Sequence, residues 1–505
     1  METMLSRSWI FLGFVLFILL GYISNKNKFL SSDDLFGGTT WLQPIFNKQF
    51  AYIQFPSKYI NNQLLLTSTT GYFNIGRKLN NINPIKDELE NGEGKLSQDS
   101  ISNYLGIESN FNNSDHLKKE IDHDKANVFG FKDEGTCDLT KGNWVHDIRK
   151  PLYSASCPFI ESYSNCEVNG RPDLEFINWK WKPKDCELPQ INPKAFMESM
   201  RGQSIAFVGD SVNRNHFQSL LCILSQVEKP ITLFTTEIRE EFEALRHNHG
   251  YLFRSFALSL SYYWSNFLVQ KTNKFVLMND NTTQNIRHID IDIMDRNLVQ
   301  NLVGIDILII STAHWYLFNP MIILERNQVI GGHNCENVTG IIEDPNLLPY
   351  AYKKVIHNVL KGLLSTPQFK GTLLLRSLSP DHFGHKRHDT GGSCNFTTPL
   401  NNPIYSHSIW TYNVQLEEFL NVYKTLDSPT MVRLKFLDIT YSSQLRGDGH
   451  PNNYRYSKEL NTMFMNDVNF DRSNDCVHWC LPGPVDMWND ILVETLRLIK
   501  LEGEM

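Results

Sequence analysis

The chain has 505 residues, of which 41% are hydrophobic, 12% aromatic and 20% charged, with a formal net charge of -7. That composition supports a sizeable core, as one large domain with appendages or as two or three domains. Without a basic excess there is no electrostatic footprint for nucleic acid, and no run of residues suggests a repeat array or a coiled coil.

Residues 9–23, WIFLGFVLFILLGYI, form an apolar run of 15 residues, short against the roughly 17–25 that span a bilayer. Extending the run back to Leu5, with Arg7 snorkelling to the interface, makes a span for a thin membrane. No small-x-small cleavage site follows, because Tyr22, Asn25 and Lys26 occupy that region. An uncleaved signal anchor is therefore expected rather than a removed signal peptide, with residues 1–8 as a cytoplasmic tail. Arg7 precedes the run and Lys26 and Lys28 follow it, so flanking charge does not set the orientation. The body points to the secretory lumen: it carries sequons at Asn112, Asn281, Asn337 and Asn395 and nine cysteines, and disulfides persist in that compartment.

Residues 24–130 are rich in Asn, Ser and Lys and show no regular hydrophobic period, which predicts a mostly disordered lumenal stem. Residues 131–200 are dense in Trp, Cys and Pro, as in GTCDLTKGNWVHD, CPFIESYSNC and GRPDLEFINWKWKPKDC. Closely spaced cysteines with little helical or strand period predict a disulfide-stapled cap. Zinc is disfavoured, because no CxxC occurs there and His146 is the segment's one histidine, so no metal is expected.

From residue 201 to 500 the pattern is α/β. The strand SIAFVGD leads into a helix ending near Leu224; ALSLSYYW, IDILIISTA, GTLLLRS and LKFLDIT read as further strands, and residues 351–364 read as a helix. Alternation of this kind predicts a parallel sheet covered by helices on both faces, with ligands at the carboxyl ends of its strands.

The strand-turn-helix AFVGDSVNRNHF puts Gly209, Asp210 and Ser211 at such an end. Ser211 can cap the helix, or it can present a nucleophilic hydroxyl beside the free N–H groups of a helix N-terminus, where an oxyanion is stabilised. A base is available near the other end of the chain, where NDCVHWC spaces Asp475 and His478 three apart. That spacing lets a carboxylate orient an imidazole, and the chain order Ser, Asp, His is one in which such triads occur.

The blocks GTCDLTKGNWVHD, GRPDLEFINWKWKPKDC, AFVGDSVNRNHFQSLLCIL, DGHPNNYR and DCVHWCLPGPVDMWNDIL, in that order across residues 130–495, resemble the plant trichome-birefringence-like family of GDS-type, SGNH-like PC-esterases. The resemblance implies an SGNH-hydrolase-like parallel sheet flanked by helices, in a single-pass type II Golgi membrane protein with its catalytic domain in the lumen. It implies transfer of an acetyl group to a cell-wall polysaccharide, with xyloglucan or mannan favoured by NHFQSLLCILSQVE and RSLSPDHF. Carried over, Ser211 is the nucleophile, Asp475 and His478 complete the triad, and Arg214 helps to hold an oxyanion. Gly209, Asp210, Asn215, His314, Trp315 and Trp479 are further oxyanion or substrate candidates. Trp144, Trp179 and Trp181 join Trp315 and Trp479 as aromatic surfaces for a glycan, or as plain core.

No bound cofactor is expected. An acetyl donor is required, either acetyl-CoA or an acetylated intermediate, and a donor partner protein is a further expectation. The resemblance also implies the pairs Cys137–Cys186, Cys157–Cys222, Cys166–Cys480 and Cys394–Cys476, which leaves Cys335 as a free thiol.

Three departures from the family pattern stand out. Phe256-Ala257 replaces a usual Tyr-Asn, Ala313-His314-Trp315 replaces Gly-His-Trp, and GHKRHDTGG replaces a Trp-containing run. If the missing Asn is an oxyanion donor, Ala257 marks a weakened catalyst. Acetylesterase activity, or a pectin-binding or bridging role without turnover, are the competing expectations.

Overall fold

In a computed structural model the residues described are 138–148, 150–238, 246–384, 386, 392–457 and 474–503. The expected anchor, the stem, Cys137 and Asn112 lie outside them, as does most of the 384–392 run. Among the described residues no helix is long and apolar enough to cross a membrane.

The cap begins with a two-stranded antiparallel ribbon, β1 (Gly142–His146) against β2 (Trp179–Pro183), in which Trp144 lies opposite Trp181. These strands of five residues are too short to impose a visible period on the sequence. Their alternation still decides the packing, since Trp181 points inward and is 1% exposed, with its indole N–H donated to the carbonyl of Leu139 at 2.9 Å.

The main sheet contains β3 (Ser204–Gly209), β4 (Ile231–Ile238), β5 (Arg246–Phe253), β6 (Leu258–Trp264), β9 (Ile307–Ser311), β12 (Thr372–Arg376) and β13 (Leu434–Leu437), in the order β13-β12-β9-β3-β6-β5-β4. The first five are parallel to one another, whereas β5 and β4 continue the sheet antiparallel. Alternate residues of the central strands enter two cores. Ile205, Phe207, Ile309 and Leu374 meet helices α1 (Ser211–Leu224) and α4 (Asp486–Gly503), while Ala206, Val208, Ile310 and Leu375 meet α2 (Leu347–Ser365) and α3 (Ile409–Tyr423). Burial on both faces is why these strands read as continuous apolar runs.

A second sheet was not legible in the sequence. It contains β7 (Val269–Leu277), β8 (Thr283–Met294), β10 (Met321–Glu325) and β11 (Gln328–His333), in the order β11-β10-β8-β7. Its edge strand β7, VQKTNKFVL, leaves most of its side chains in solvent, so no apolar alternation announces it.

Helix α1 departs from an ordinary amphipathic helix. Its residues from Val212 to Leu224 are all buried, including Asn213, Arg214, Asn215 and His216. Two of the polar members have partners that explain their burial: Asn213 donates to the carbonyls of Val208 and Ile309, and Asn215 donates to Ser164 Oγ in the cap. The disulfide Cys157–Cys222 ties the cap to the far part of this helix, and Cys166–Cys480 and Cys394–Cys476 tie the cap and a distal loop to the segment after Asp475. Cys186 is also disulfide-bonded, whereas Cys335 is a buried free thiol.

The position of Ala257 corrects the expectation attached to it. It precedes β6 and is solvent-exposed, at the amino edge of a strand whose Trp264 end pairs with Gly209. A strand of this length puts Ala257 about 20 Å from the carboxyl edge, too far to touch an oxyanion there. Its φ of 49° and ψ of 29° are left-handed, closing a 3₁₀ turn over Arg254–Phe256. Asn enters that region more readily than Ala, so the Asn that the family resemblance implies here has a backbone explanation. Replacing Ala257 with Asn is expected to raise unfolding free energy by about 0.5–1 kcal/mol in a denaturant titration and to leave turnover unchanged. A gain in kcat would contradict this assignment.

Candidate active site

Parallel strands β9, β3 and β6 end side by side, and the turn after β3 starts α1. Gly209 permits the close approach of β3 to β9, because a Cβ there would overlap the carbonyl oxygen of Ser311. The hydroxyl of Tyr262 bonds to the carbonyls of Gly209 and Asp210 at 3.2 and 3.0 Å and fixes the turn. Asp210, not Ser211, is the N-cap, since its carboxylate accepts from the N–H groups of Val212 and Asn213 at 3.0 and 3.3 Å. Ser211 is thereby relieved of the capping role and stands as the first helical residue with its hydroxyl toward the cleft.

Across that cleft, His478 Nε2 lies 2.7 Å from Ser211 Oγ, and His478 Nδ1 lies 2.8 Å from Asp475 Oδ2. The three residues foreseen as a unit are therefore brought together. Asp475 Oδ1 accepts from the backbone N–H groups of Val477 and His478 at 3.2 and 2.9 Å, so the three-residue spacing makes a turn that aims the imidazole. Burial alone would raise the Asp475 pKa. The charge and hydrogen bonds of His478, with Arg455 nearby, outweigh it and hold the carboxyl well below the usual carboxylate range. An ionised Asp475 accepts a hydrogen bond from Nδ1–H, which keeps the proton on Nδ1 and leaves Nε2 as the acceptor facing the serine.

The segment is held from several sides. Asp475 exchanges backbone bonds with Asn452 of the DGHPNN turn at 2.8 and 3.0 Å, and Asn215 Oδ1 accepts from the N–H of Trp479 at 3.3 Å. Tyr163 of the cap lies against His478 with ring centroids 4.7 Å apart, and its hydroxyl accepts from Arg214 Nη2 at 3.1 Å. Burial pushes the Tyr163 pKa up and keeps the phenol neutral. Arg214, 5% exposed, also reaches Glu161 at 3.7 Å.

Ser211, Arg214 and His478 open into a cavity of about 320 Å³, lined also by Tyr163, His314, Trp315, Phe318, Asn319, Phe383, Arg455 and Asn474. His314 donates from Nε2 to the carbonyl of Ser379 at 2.7 Å. Of the five tryptophans considered for glycan contact, Trp315 is the one in this cavity. Trp479 is fully buried, with its indole N–H on Ser379 Oγ at 2.7 Å, and Trp181 is core, so both belong to packing rather than to a binding surface. Trp144 and Trp179 line a separate cavity of about 70 Å³ beneath the cap ribbon. Asn215 likewise acts as a brace, fully buried behind the reacting groups.

Comparison with known proteins places the chain in a family. A model of the GDSL/SGNH-like acyl-esterase family found in Pmr5 and Cas1p, PC-Esterase, matches residues 188–495, and the PMR5 N-terminal domain matches residues 135–187. The chain belongs to the PC-esterase family. Similar proteins of Arabidopsis thaliana include trichome birefringence-like 25, 39% identical over 71% of this chain and 76% of its own length, and trichome birefringence-like 24, 37% identical over 71% and 81%. Xyloglucan O-acetyltransferase 1 is 34% identical over 80% of this chain and 89% of its own length.

Within this PC-esterase fold, Tyr163, Phe318, Asn319, Phe383, Arg455 and Asn474 are cavity residues that sequence reasoning missed. Arg455 is the last residue of the recognised motif DGHPNNYR and Asn474 immediately precedes DCVHWC, which was a usable signal. Tyr163 had none, because only the fold carries the cap to the mouth of the sheet.

Proposed function

We propose that this protein is a polysaccharide O-acetyltransferase that uses Ser211, His478 and Asp475. The observation that carries the reading is the continuous row from Ser211 Oγ through His478 to Asp475, with contacts of 2.7 and 2.8 Å. In the first half, Ser211 Oγ attacks the acetyl carbonyl carbon while its proton passes to His478 Nε2. The bond to the donor's leaving group then breaks, that group takes the proton from His478, and acetyl-Ser211 remains. In the second half a sugar hydroxyl attacks acetyl-Ser211, giving its proton to His478, and Ser211 Oγ leaves and recovers it. Arg214, which lines the same cavity as Ser211, supplies positive charge for the carbonyl oxygen as negative charge develops on it.

Acceptance of a sugar rather than water requires a bound acceptor in near-attack geometry. Trp315, half-buried in the cavity wall, supplies a flat apolar face for it. A xyloglucan-type acceptor is favoured by the similarity to xyloglucan O-acetyltransferase 1. The donor is acetyl-CoA or an acetylated intermediate, with delivery by a partner protein as part of the same reading. Placement in the Golgi lumen behind an uncleaved anchor is supported by the disulfides and by the exposed sequon residues Asn281, Asn337 and Asn395.

The decisive experiment incubates the protein with an acetyl donor and oligosaccharides of xyloglucan, mannan, xylan and pectin, and reads the products by mass. Acetylated oligosaccharide is the expected product. Free acetate with every acceptor would make the protein an esterase, and glycan affinity without turnover would make it a binding protein. Ala257 no longer argues for that last outcome. Trp315→Ala is expected to raise the acceptor KM about tenfold, the worth of one aromatic contact, while changing acetyl-Ser211 formation little.

A further inference from the structure

Two histidines are buried side by side beneath the segment that carries Asp475 and His478. His382 lies in the loop after β12 and His450 in the DGHP turn, and each is 1% exposed. Three contacts run through them in a row. His382 Nε2 is 2.9 Å from the carbonyl oxygen of Gln444, His382 Nδ1 is 2.7 Å from His450 Nε2, and His450 Nδ1 is 2.6 Å from the carbonyl oxygen of His478. Both ends of the row are carbonyl oxygens, which only accept, so each outer nitrogen must carry a proton. The contact between the rings needs a third proton, and two neutral imidazoles bring only two.

We propose that His382 and His450 share the third proton as a singly charged pair, and that this pair positions the general base by holding the carbonyl of His478. The proposal rests on the reading of His478 as the base for Ser211. Around the pair, the charges suit one proton more than the neutral count and no further one. The face of Trp479 lies against His450 with centroids 4.1 Å apart, a seat for a cation. Asp381 and Asp448 favour a proton on His382, and Asp475 favours one on His450. Arg446 opposes it at His382, but its guanidinium is paired with Asp448 at 2.8 and 3.0 Å. Among the described residues the further titratable neighbours are His478, which opposes a proton on His450 when it is itself charged, and Arg171, which donates to the carbonyl of His450 at 2.9 Å. Burial pushes each ring below the ordinary histidine range, and a charge on His382 pushes His450 further down, which excludes a doubly charged pair.

Loss of the shared proton leaves one of the three bonds unmade, and the backbone that carries the His478 ring loses its fixed depth beneath Ser211. The pair is thus a positioning device with its own titration.

The test uses the full chain labelled with ¹⁵N at histidine, together with hydrolysis of 4-nitrophenyl acetate, which needs no polysaccharide. Nitrogen signals of His382 and His450, assigned with single variants, are expected to show three protonated nitrogens across the two rings at mildly acidic pH, falling to two in one step as pH rises. His382→Leu is expected to lower kcat by about tenfold to a hundredfold with little change in KM, and to remove that step from the kcat profile. His382→Gln, whose amide nitrogen offers two N–H donors without a charge, should restore most of kcat and show no step. Two neutral rings throughout the range from about pH 5 to 8, a His382→Leu profile like wild type, or equal failure of the Leu and Gln variants would each overturn the proposal. An absence of ester hydrolysis would count against the serine mechanism, and the nitrogen signals would still decide the protonation of the pair.

Discussion

Replacement of Ser211 by alanine is expected to lower turnover on the order of 10⁶-fold, because a nucleophile and its base act as one unit. Stability should change by no more than about 1 kcal/mol, the worth of one hydrogen bond. The cap of α1 is untouched by this change, since Asp210 rather than Ser211 accepts from the N–H groups of Val212 and Asn213. Asp475→Asn is the companion variant. An amide at that position keeps the shape of the turn but no longer selects the tautomer with its proton on Nδ1, so kcat should fall about 10⁴-fold. Single-turnover formation of acetyl-Ser211, followed by mass spectrometry, checks both. An active Ser211→Ala protein would sink the mechanism.

The second large effect belongs to a disulfide. Cys166–Cys480 joins residues 314 apart in sequence, two positions beyond His478. Its removal by the double change Cys166→Ala and Cys480→Ala is expected to cost about 2–4 kcal/mol, mostly through the freedom returned to the unfolded chain. Because Cys480 also takes a backbone bond from its N–H to the carbonyl of Gly449 at 2.9 Å, the staple and the DGHP turn together set the depth of His478 under Ser211. The variant should therefore lose kcat by about a hundredfold, as a displacement near 1 Å would produce. Cys157–Cys222 provides the control. It fastens the cap to α1 eleven residues beyond Ser211, counting from 211 to 222, and its removal should cost a similar amount of stability while leaving kcat nearly unchanged. Thermal unfolding and ester hydrolysis measured on both double variants separate the two roles. Equal turnover in the two proteins would refute the division.

Much of the α/β body was legible without coordinates. Strands β3, β9 and β12 are buried on both faces, so each contains an unbroken apolar run, β6 and β13 keep apolar residues around Ser259, Ser261 and Lys435, and the helices between the strands imply parallel pairing. Ser211, Asp475 and His478 were legible for a different reason: a strand-turn-helix serine and an Asp–His pair three apart are local patterns, each encoded within one short segment. The cap ribbon and the second sheet were not legible, because their strands are short or solvent-facing and carry no sustained period.

Roles that depend on depth, on which end of a strand a residue occupies, or on a distant partner had to await the tertiary structure. Trp315 and Trp479 look alike as exposed-aromatic candidates, yet one walls the cavity and the other is sealed behind it. Ala257 belongs to the same strand segment as Trp264, but a parallel strand has two ends, and only the one beside Gly209 meets the site. His382 and His450 are 68 residues apart, and their common row of hydrogen bonds exists only because two loops converge beneath His478. Sequence by itself determined the candidate reacting groups and most of the strands that present them, since both are written in local patterns of residue type and burial. Tertiary structure decided which neighbours aim, brace and surround those groups, because these contacts join residues hundreds of positions apart whose proximity no local pattern encodes.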